Sequence, residues 1–328
     1  MDEAGIIQAM RYRLVQLCPW LVTIGIFAFI AQRVPLREVA LALREVPVGA
    51  YLALMLPYSM IYCAIDAFVL YRVVNWFHAR VPYRRVLPVR AAAYILSLLN
   101  PGLGHGAVAY ALHRREALPL LDIAGSLLFL TVLEFCQLAL YAAFGIFAFH
   151  ADLRLAFAPV YAGLILLVGG VLVGVRAGVD PLAWVLTRLG RWRRGDATYR
   201  APSRLPDAKL LSTLRQARWR HYLLTLLYKA PNFFLAVVIH YSALQLFEIH
   251  VPFVRLLAFL PVVFLVASIP ITVAHLGTTQ AAWLYFFAAY GEAPRLFAYS
   301  LVAHVTFMVL NGLIGVCFLR AAMWQRET

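Results

Sequence analysis

Apolar runs of about 20 residues recur along this chain, and each is long enough to cross the hydrocarbon core of a bilayer. Only 13% of the 328 residues are charged, which is about half the fraction usual in a soluble domain. The first residues lack the basic region of a secretory signal, so the first run is interpreted as a retained helix. The sequence predicts an all-α polytopic membrane protein. Six runs have the character of complete spans: 14–31, 46–77, 120–149, 156–175, 221–247 and 295–319.

Two further apolar runs are interrupted near their middle. The run 90–112 contains the sequence NPGLGHG at 100–106, and the run 255–290 contains PITVAHLGTTQ at 270–280. Proline removes a helical hydrogen bond and glycine loosens the backbone, so neither run should continue as a regular helix. Irregular backbone at membrane depth requires cover from protein or a wet cavity. Both runs are predicted to be re-entrant hairpins made of broken helices.

The distribution of basic residues favours this topology. The chain carries 29 Lys and Arg residues against 15 acidic ones. With two hairpins and a cytoplasmic N-terminus, 22 basic residues lie inside and 6 outside, in agreement with the positive-inside rule. If 90–112 crossed once instead, the basic loop 176–220 would lie outside. We therefore expect both termini to be cytoplasmic, in a bacterial-type inner (plasma) membrane.

The order of these elements predicts an inverted repeat. Residues 1–150 form the first membrane repeat, and residues 151–328 form the second, which includes the basic cytoplasmic loop 176–220. Each repeat has three spans and one hairpin, the first entering from the cytoplasmic side and the second from outside. Prolines 57 and 231 lie 174 residues apart, in the spans that precede the hairpins. Inverted repeats with paired broken helices are typical of transporters.

Three charged residues are predicted to lie deep in spans, where each carries a cost and requires a partner. Asp66 and Lys229 have similar predicted depths, so we expect them to form an ion pair. Such a pair either holds two helices together or takes part in substrate or proton binding. Glu134 is the third intramembrane charge.

The polar hairpin tips are the predicted substrate-binding site, because a half-helix N-terminus facing a cavity favours an anion. The substrate-binding candidates are Asn100, Gly102, Gly104, His105, Thr272, His275, Gly277, Thr278 and Gln280. Five arginines beside the first hairpin are candidates for attracting a headgroup: Arg84, Arg85, Arg90, Arg114 and Arg115.

No motif for a soluble enzyme is present: the chain has no HExxH, P-loop or GxSxG. Its four cysteines are far apart in apolar runs, which indicates neither a disulfide framework nor a metal site. The sequence predicts no cofactor and no metal. The charge of +14 lies beside membrane spans, so the expected partners are membrane lipids of anionic, polyprenyl or glycolipid type rather than nucleic acid.

The two interrupted segments resemble the lysylphosphatidylglycerol synthase transmembrane-region family, also described as flippase-like proteins. The similar stretches are YILSLLNPGLG at 94–104, SIP at 268–270, LGTTQAA at 276–282 and the Leu133-Glu134 helix. The chain departs from the family pattern at Leu103 and Gly104-His105, near an expected Arg and Gly-Glu pair, and at Gln280, where Glu is common. The resemblance implies lipid translocation, or support of glycolipid, polyprenyl-linked or hopanoid-type lipid pathways.

The leading hypothesis is a transporter or flippase for a lipid or lipid-linked substrate with an anionic headgroup. One alternative is a membrane-embedded lipid-modifying transferase that uses His105 or His275. Another is a non-catalytic component of a lipid or glycolipid biosynthetic complex. Association with itself or with lipid-biosynthesis proteins is compatible with each hypothesis.

Overall fold

The computed structural model describes residues 20–98, 100–149, 210–268 and 272–323, together with scattered helical positions between 158 and 173. Within these residues every regular element is a helix, and there is no strand. The helices are α1 Trp20–Ala31, α2 Leu36–Glu45, α3 Val48–Phe77, α4 Tyr83–Ser97, α5 Pro101–Glu116, α6 Leu120–Phe149, α7 Ser212–Gln216, α8 Trp219–Leu246, α9 Phe253–Ala267, α10 Thr278–Phe286 and α11 Ala293–Met323, and a 3-10 turn covers Val273–His275.

Among the described residues, four helices are long and apolar enough to cross a membrane: α3, α6, α8 and α11. They correspond to the predicted spans 46–77, 120–149, 221–247 and 295–319. The predicted span 14–31 is described only from residue 20, and it continues as the short apolar helix α1. Most of the predicted span 156–175 and of the loop 176–220 lies outside the described residues.

Prolines fix the starts of many of these helices. Proline has no backbone N–H, but an N–H at a helix start would have no partner within the helix, so proline costs little there and its φ angle suits a helix. Prolines immediately precede or begin six helices: Pro35, Pro47, Pro82, Pro101, Pro119 and Pro252. The helix α2, which begins after the first of these, was not predicted from the sequence.

Both apolar runs with an interruption are broken where the sequence predicted. The first run is divided into α4 and α5, which end and begin at Ser97 and Pro101. The second is divided into α9 and α10, which end and begin at Ala267 and Thr278. The arms α4, α5 and α9 contain 15, 16 and 15 residues and are therefore about 23 Å long, too short for a full span with its interfaces. We call α4–α5 the first hairpin and α9–α10 the second.

Close helix crossings connect the two halves of the chain. Helix α6 packs against α9, α11 packs against α4, and α3 packs against α8. A Cβ on Gly145 of α6 would lie 2.4 Å from the Cα of Ala258 in α9. A Cβ on Gly315 of α11 would lie 2.9 Å from the carbonyl oxygen of Ala91 in α4. Both crossings therefore depend on a residue without a side chain.

Two large hydrophobic cores surround the two hairpins. One buries residues of the second hairpin with parts of α1, α2, α3, α8 and α11, and the other buries the first hairpin with α3, α6 and α7. The described end of the predicted basic loop joins the second of these cores. There Leu214 is buried, and the hydroxyl groups of Thr213 and Ser126 lie 3.2 Å apart. This segment therefore packs on the protein itself.

Candidate functional site

A buried ion pair joins α3 to the first hairpin. Arg90 Nε donates to Asp66 Oδ2 at 2.6 Å, and Tyr94 Oη donates to the same oxygen at 2.7 Å. The side chains of Asp66 and Arg90 are 15% and 14% exposed. Arg90 and Tyr94 are four residues apart, so they lie on the same face of α4 and reach one carboxylate together. Arg90, which the sequence placed at the cytoplasmic mouth, is therefore part of the interior.

A second ion pair joins α6 to α8. Lys229 Nζ donates to Glu134 Oε2 at 2.9 Å and lies 3.5 Å from the carbonyl oxygen of Leu130. The predicted pair between Asp66 and Lys229 is therefore wrong, because each residue pairs with another partner. The depth estimate was nevertheless useful, since the Lys229 charge is close enough to act on the Asp66 carboxylate.

These four charges form one group with no net charge, which we call the charge cluster: Asp66, Arg90, Glu134 and Lys229. Its two pairs differ in exposure. The Glu134 side chain is 51% exposed and the Lys229 side chain is 13% exposed, whereas both members of the other pair are nearly buried. Pairing offsets part of the cost of burying each charge. The cluster is thus closed on the side of α4 and open on the side of α6.

Two polar atoms beside the charge cluster have no hydrogen-bond partner among the described residues. They are Nη1 of Arg90 and Oδ1 of Asn232, and both are buried. The Nδ2 atom of Asn232 lies 3.4 Å from the carbonyl oxygen of Tyr62, so the side chain is held with its oxygen unused. An unpaired buried donor or acceptor costs about 1–3 kcal/mol, so such atoms are well suited to receive a ligand.

The tip of the first hairpin is exposed. Asn100 caps α5 by accepting a hydrogen bond from the Gly102 N–H at 2.7 Å, and Leu103 is 53% exposed. Gly104 is required by packing, because a Cβ there would lie 1.9 Å from the Ser97 hydroxyl oxygen. His105 follows on α5, within electrostatic reach of all four charges of the cluster. The predicted site residues of this hairpin therefore lie between an open tip and the charge cluster.

The second hairpin uses its polar groups internally. The hydroxyls of Thr278 and Thr279 donate to the His275 carbonyl oxygen, and Thr272 pairs with Thr278 through their hydroxyls. The Gly277 N–H donates to Gln280 Oε1 at 2.6 Å. Gly277 has a backbone φ of +91°, a conformation that glycine adopts at low cost.

Burial gives these residues a structural role in the arrangement observed. Thr272, Gly277, Thr278, Thr279 and Gln280 are all buried. The turn is also fixed from α11, since His304 Nε2 lies 2.9 Å from the Ala274 carbonyl oxygen. The predicted equivalence of the two tips thus does not extend to exposure. Pro270 lies outside the described residues.

Both hairpin tips contact the same helix near its middle. Leu98, at the first tip, packs on Gly312 of α11, and Ala274, at the second tip, contacts His304 of the same helix. Eight residues of helix separate these two positions, a distance of about 12 Å along the axis. The two tips therefore pack on one helix, although they belong to distant parts of the sequence.

The other predicted headgroup-attracting arginines have different environments. Arg85 Nη1 donates to Glu116 at 3.2 Å, which connects the two arms of the first hairpin. Arg115 Nη1 donates to the carbonyl oxygens of Ala321 and Ala322 near the end of α11. Arg84, Arg85 and Arg114 are exposed, as the sequence suggested, although Arg85 is already paired with Glu116.

The described residues contain no group of three or more His, Cys, Asp or Glu side chains that could hold a metal ion. Sequence reasoning missed Tyr94 and Asn232 as members of the site. The spacing of Arg90 and Tyr94 was the available signal, since two polar residues four apart in an apolar helix share one face.

Comparison with known proteins agrees with the helical, apolar character of the chain. A search of curated proteins gave no match. The family model described as "Lysylphosphatidylglycerol synthase TM region" matches residues 16–315, which is most of the chain. This match confirms the resemblance seen in the two hairpins. The chain belongs to the lysylphosphatidylglycerol synthase transmembrane-region family.

Proposed function

We propose that this multi-pass membrane protein translocates a lipid or lipid-linked substrate with an anionic headgroup. The family indicates a role in lipid biosynthesis or lipid flipping. The observation that carries the more specific proposal is the unpaired, buried Nη1 of Arg90, near the pair of half-exposed Glu134 and largely buried Lys229.

The exposure of Glu134 supports a wet cavity at this site. Glu134 is the fifteenth residue of the 30-residue helix α6, and therefore lies near its middle. A charged side chain at that depth that is 51% exposed would be costly against lipid tails. Intramembrane acidic residues instead face the protein interior or water, so the open side of the cluster is the natural entry for a headgroup.

Binding of a headgroup would use the unpaired donor and the paired lysine. A phosphate oxygen accepting from Arg90 Nη1 would satisfy a donor that otherwise has no described partner. A second oxygen would compete with Glu134 for the Lys229 ammonium, while Asn232 Oδ1 would accept from a headgroup hydroxyl or amine. The apolar tails would stay in the bilayer beside the exposed tip of the first hairpin.

The paired helix contacts support the proposed inverted repeat. In that scheme α3, the first hairpin and α6 correspond to α8, the second hairpin and α11. Each third span packs on the hairpin of the other half, through Gly145 in one case and Gly315 in the other, and α3 packs on α8. Broken helices meeting at mid-depth in such repeats form transporter binding sites. The basic side, with both termini, is proposed to be cytoplasmic, in an inner membrane.

The direct test is lipid movement in proteoliposomes. Wild-type protein is expected to accelerate transbilayer movement of fluorescent anionic phospholipids more than that of a zwitterionic lipid with the same chains. The double variant Glu134→Gln/Lys229→Gln keeps the net charge and leaves polar amides at both positions, and we expect it to lose this selectivity. Arg37→Gln, which removes an exposed arginine on α2 that is not among the predicted site residues, is the control. No acceleration across a panel of anionic lipids would contradict the proposal.

Lipid binding gives a second test, because substitutions of Glu134 and Lys229 should change the affinity for anionic lipid in opposite directions. Glu134→Gln removes the group that competes for Lys229, so anionic lipid should bind more tightly to that variant. Lys229→Gln should bind it more weakly. Stabilisation by added lipid during thermal unfolding in detergent measures both effects. Weaker binding in Glu134→Gln would contradict the competition.

A further inference from the structure

A separate group of aromatic rings surrounds Arg72 between α3 and α8. The guanidinium carbon lies 5.4 Å from the centre of the Trp76 ring and 5.5 Å from that of Tyr228. Trp76 and Tyr228 are stacked with centroids 6.1 Å apart, and His221 lies against Trp76 at 5.2 Å. We call these four side chains the Arg72 niche.

Arg72 lacks a carboxylate partner of the kind that Asp66 provides to Arg90. Within the described part of the chain no acidic side chain forms a salt bridge with it, whereas Arg90 is paired with Asp66. Its Nε is buried without a described hydrogen-bond partner. The residue as a whole is half-buried, and its terminal nitrogens, unlike Nε, are not among the buried atoms without a partner. The rings fix the guanidinium in position but leave its donors unused.

The niche lies at the end of the molecule where basic residues collect. It is within two turns of the end of α3 at Phe77 and includes the first turns of α8. Exposed Arg80 follows α3, and Arg218 and Arg220 flank the start of α8. Trp219 is exposed beside them. Tryptophan and tyrosine with arginine are typical of the membrane–water interface, where the lipid phosphates lie.

The Arg72 niche and the charge cluster lie on different faces of α3 and at different positions along it. Asp66 and Arg72 are six residues apart on α3, which is about 120° around the helix and about 9 Å along it. Asp66 faces α4, whereas Arg72 contacts Tyr228 of α8. We propose that the Arg72 niche is a second lipid site, which binds the phosphodiester of an anionic phospholipid at the basic surface of the membrane.

The chemistry of the niche favours this ligand. A planar guanidinium presents parallel donors that match two phosphate oxygens, and its contact with the rings holds it in that orientation. Apolar ring surface next to it suits the glycerol and upper chain carbons of a lipid. A free phosphate offers the oxygens but no apolar part. The site therefore differs from a simple surface charge in requiring both contacts.

Trp76 provides a reporter inside the niche. Full-length protein is reconstituted in nanodiscs that contain rising fractions of chain-brominated phosphatidylglycerol or chain-brominated phosphatidylcholine, and the quenching of tryptophan fluorescence is measured. The part of the quenching that is absent in Trp76→Phe reports on lipid in the niche. We expect half-quenching at about fivefold lower mole fraction of the anionic lipid, the effect of one basic residue at the surface. Arg72→Gln should abolish that preference, and Arg80→Gln, which removes an exposed charge nearby, should retain it.

Three outcomes would overturn the proposal. They are equal quenching by the two lipids in wild type, an unchanged preference in Arg72→Gln, and loss of the preference when inorganic phosphate replaces chloride at constant ionic strength, which would assign the site to free phosphate. If Arg72→Gln does not fold, Arg72→Lys serves instead. It keeps the charge but not the planar fork, so its preference must fall below that of wild type, and an undiminished preference also overturns the proposal.

Discussion

Neutralising one member of the Asp66–Arg90 pair should be more damaging than neutralising both. In Asp66→Asn the Arg90 guanidinium, only 14% exposed, loses the carboxylate 2.6 Å away and keeps its charge. Breaking a buried pair in this way costs about 3–5 kcal/mol, because a buried charge is left unpaired. Arg90→Gln leaves the Asp66 carboxylate with Tyr94 Oη as its remaining partner and should cost a similar amount. The double variant Asp66→Asn/Arg90→Gln leaves no charge unpaired and should recover at least about half of the loss.

The free energy of unfolding is measured for each variant by titrating the protein in detergent micelles with a denaturing detergent. These values give the coupling energy of the double-mutant cycle. A second cycle with Asp66→Asn and Lys229→Gln is the matched control, since it tests the pair that the sequence predicted. Residues in direct contact couple by about 0.5–3 kcal/mol, and more distant ones by less. A larger coupling of Asp66 to Lys229 than to Arg90 would refute the arrangement of the charge cluster.

Three further predictions concern stability. Gly145→Ala should destabilise the protein by about 1–3 kcal/mol, because the added Cβ would lie 2.4 Å from Ala258 in α9. The control Gly106→Ala should be neutral or stabilising, because a Cβ there meets nothing within 4 Å. Equal effects of the two variants in thermal unfolding would contradict the close crossing of α6 and α9. Gln280→Ala should cost about 1–3 kcal/mol by leaving the buried N–H at the start of α10 unpaired, and an unchanged unfolding free energy would exclude that role. Burial lowers the pKa of His78, which lies just beyond the end of α3, so the folded protein favours the neutral imidazole. The stability that this residue contributes is present above about pH 6.5 and is lost as the pH falls through the lowered pKa. The unfolding free energy of His78→Gln should therefore depend less on acid pH than that of wild type.

Helix boundaries were predictable because apolar runs end at charges and prolines. The span predicted at 120–149 coincides with α6, and the one predicted at 46–77 differs from α3 by two residues. Both interruptions were also predictable, since few sequences other than NPG or a Pro and Gly cluster stop a helix within an apolar run. The short helix α2 was missed because it carries four charged residues between two apolar spans.

The partners of the charges were not predictable from depth alone. Depth along a span places Asp66 and Lys229 at one level, but it does not specify which helix faces which. Arg90 was predicted to lie beside the first hairpin, as one of five arginines that attract a headgroup. Helix α4 begins at Tyr83, so Arg90 lies two turns inside it and faces α3. Pairing of this kind depends on packing between helices that are distant in sequence.

The sequence of the second hairpin contains a local pattern that indicates the burial of its tip. The spacing Gly277-Thr278-Thr279-Gln280 places a glutamine three residues after the residue that precedes a helix, which is the pattern of a side chain capping the backbone. Both threonine hydroxyls donate to one carbonyl oxygen in the same turn. Polar residues that satisfy their own turn leave few groups for a ligand. At the first hairpin Asn100 caps α5 in this way, and the described part of the tip stays open.

The most direct test of anionic-lipid binding at the first hairpin is photochemical capture at its tip. A diazirine amino acid replaces Leu103, which is exposed at the tip, and the same residue replaces Leu140, which is exposed on α6, as a control for bulk lipid. After illumination in membranes of known composition, mass spectrometry identifies the attached lipids. We expect anionic lipids to be enriched at Leu103 over their bulk fraction and over Leu140, and the enrichment to fall in the Glu134→Gln/Lys229→Gln background. Capture in bulk proportion at both positions would contradict binding of the headgroup at this hairpin.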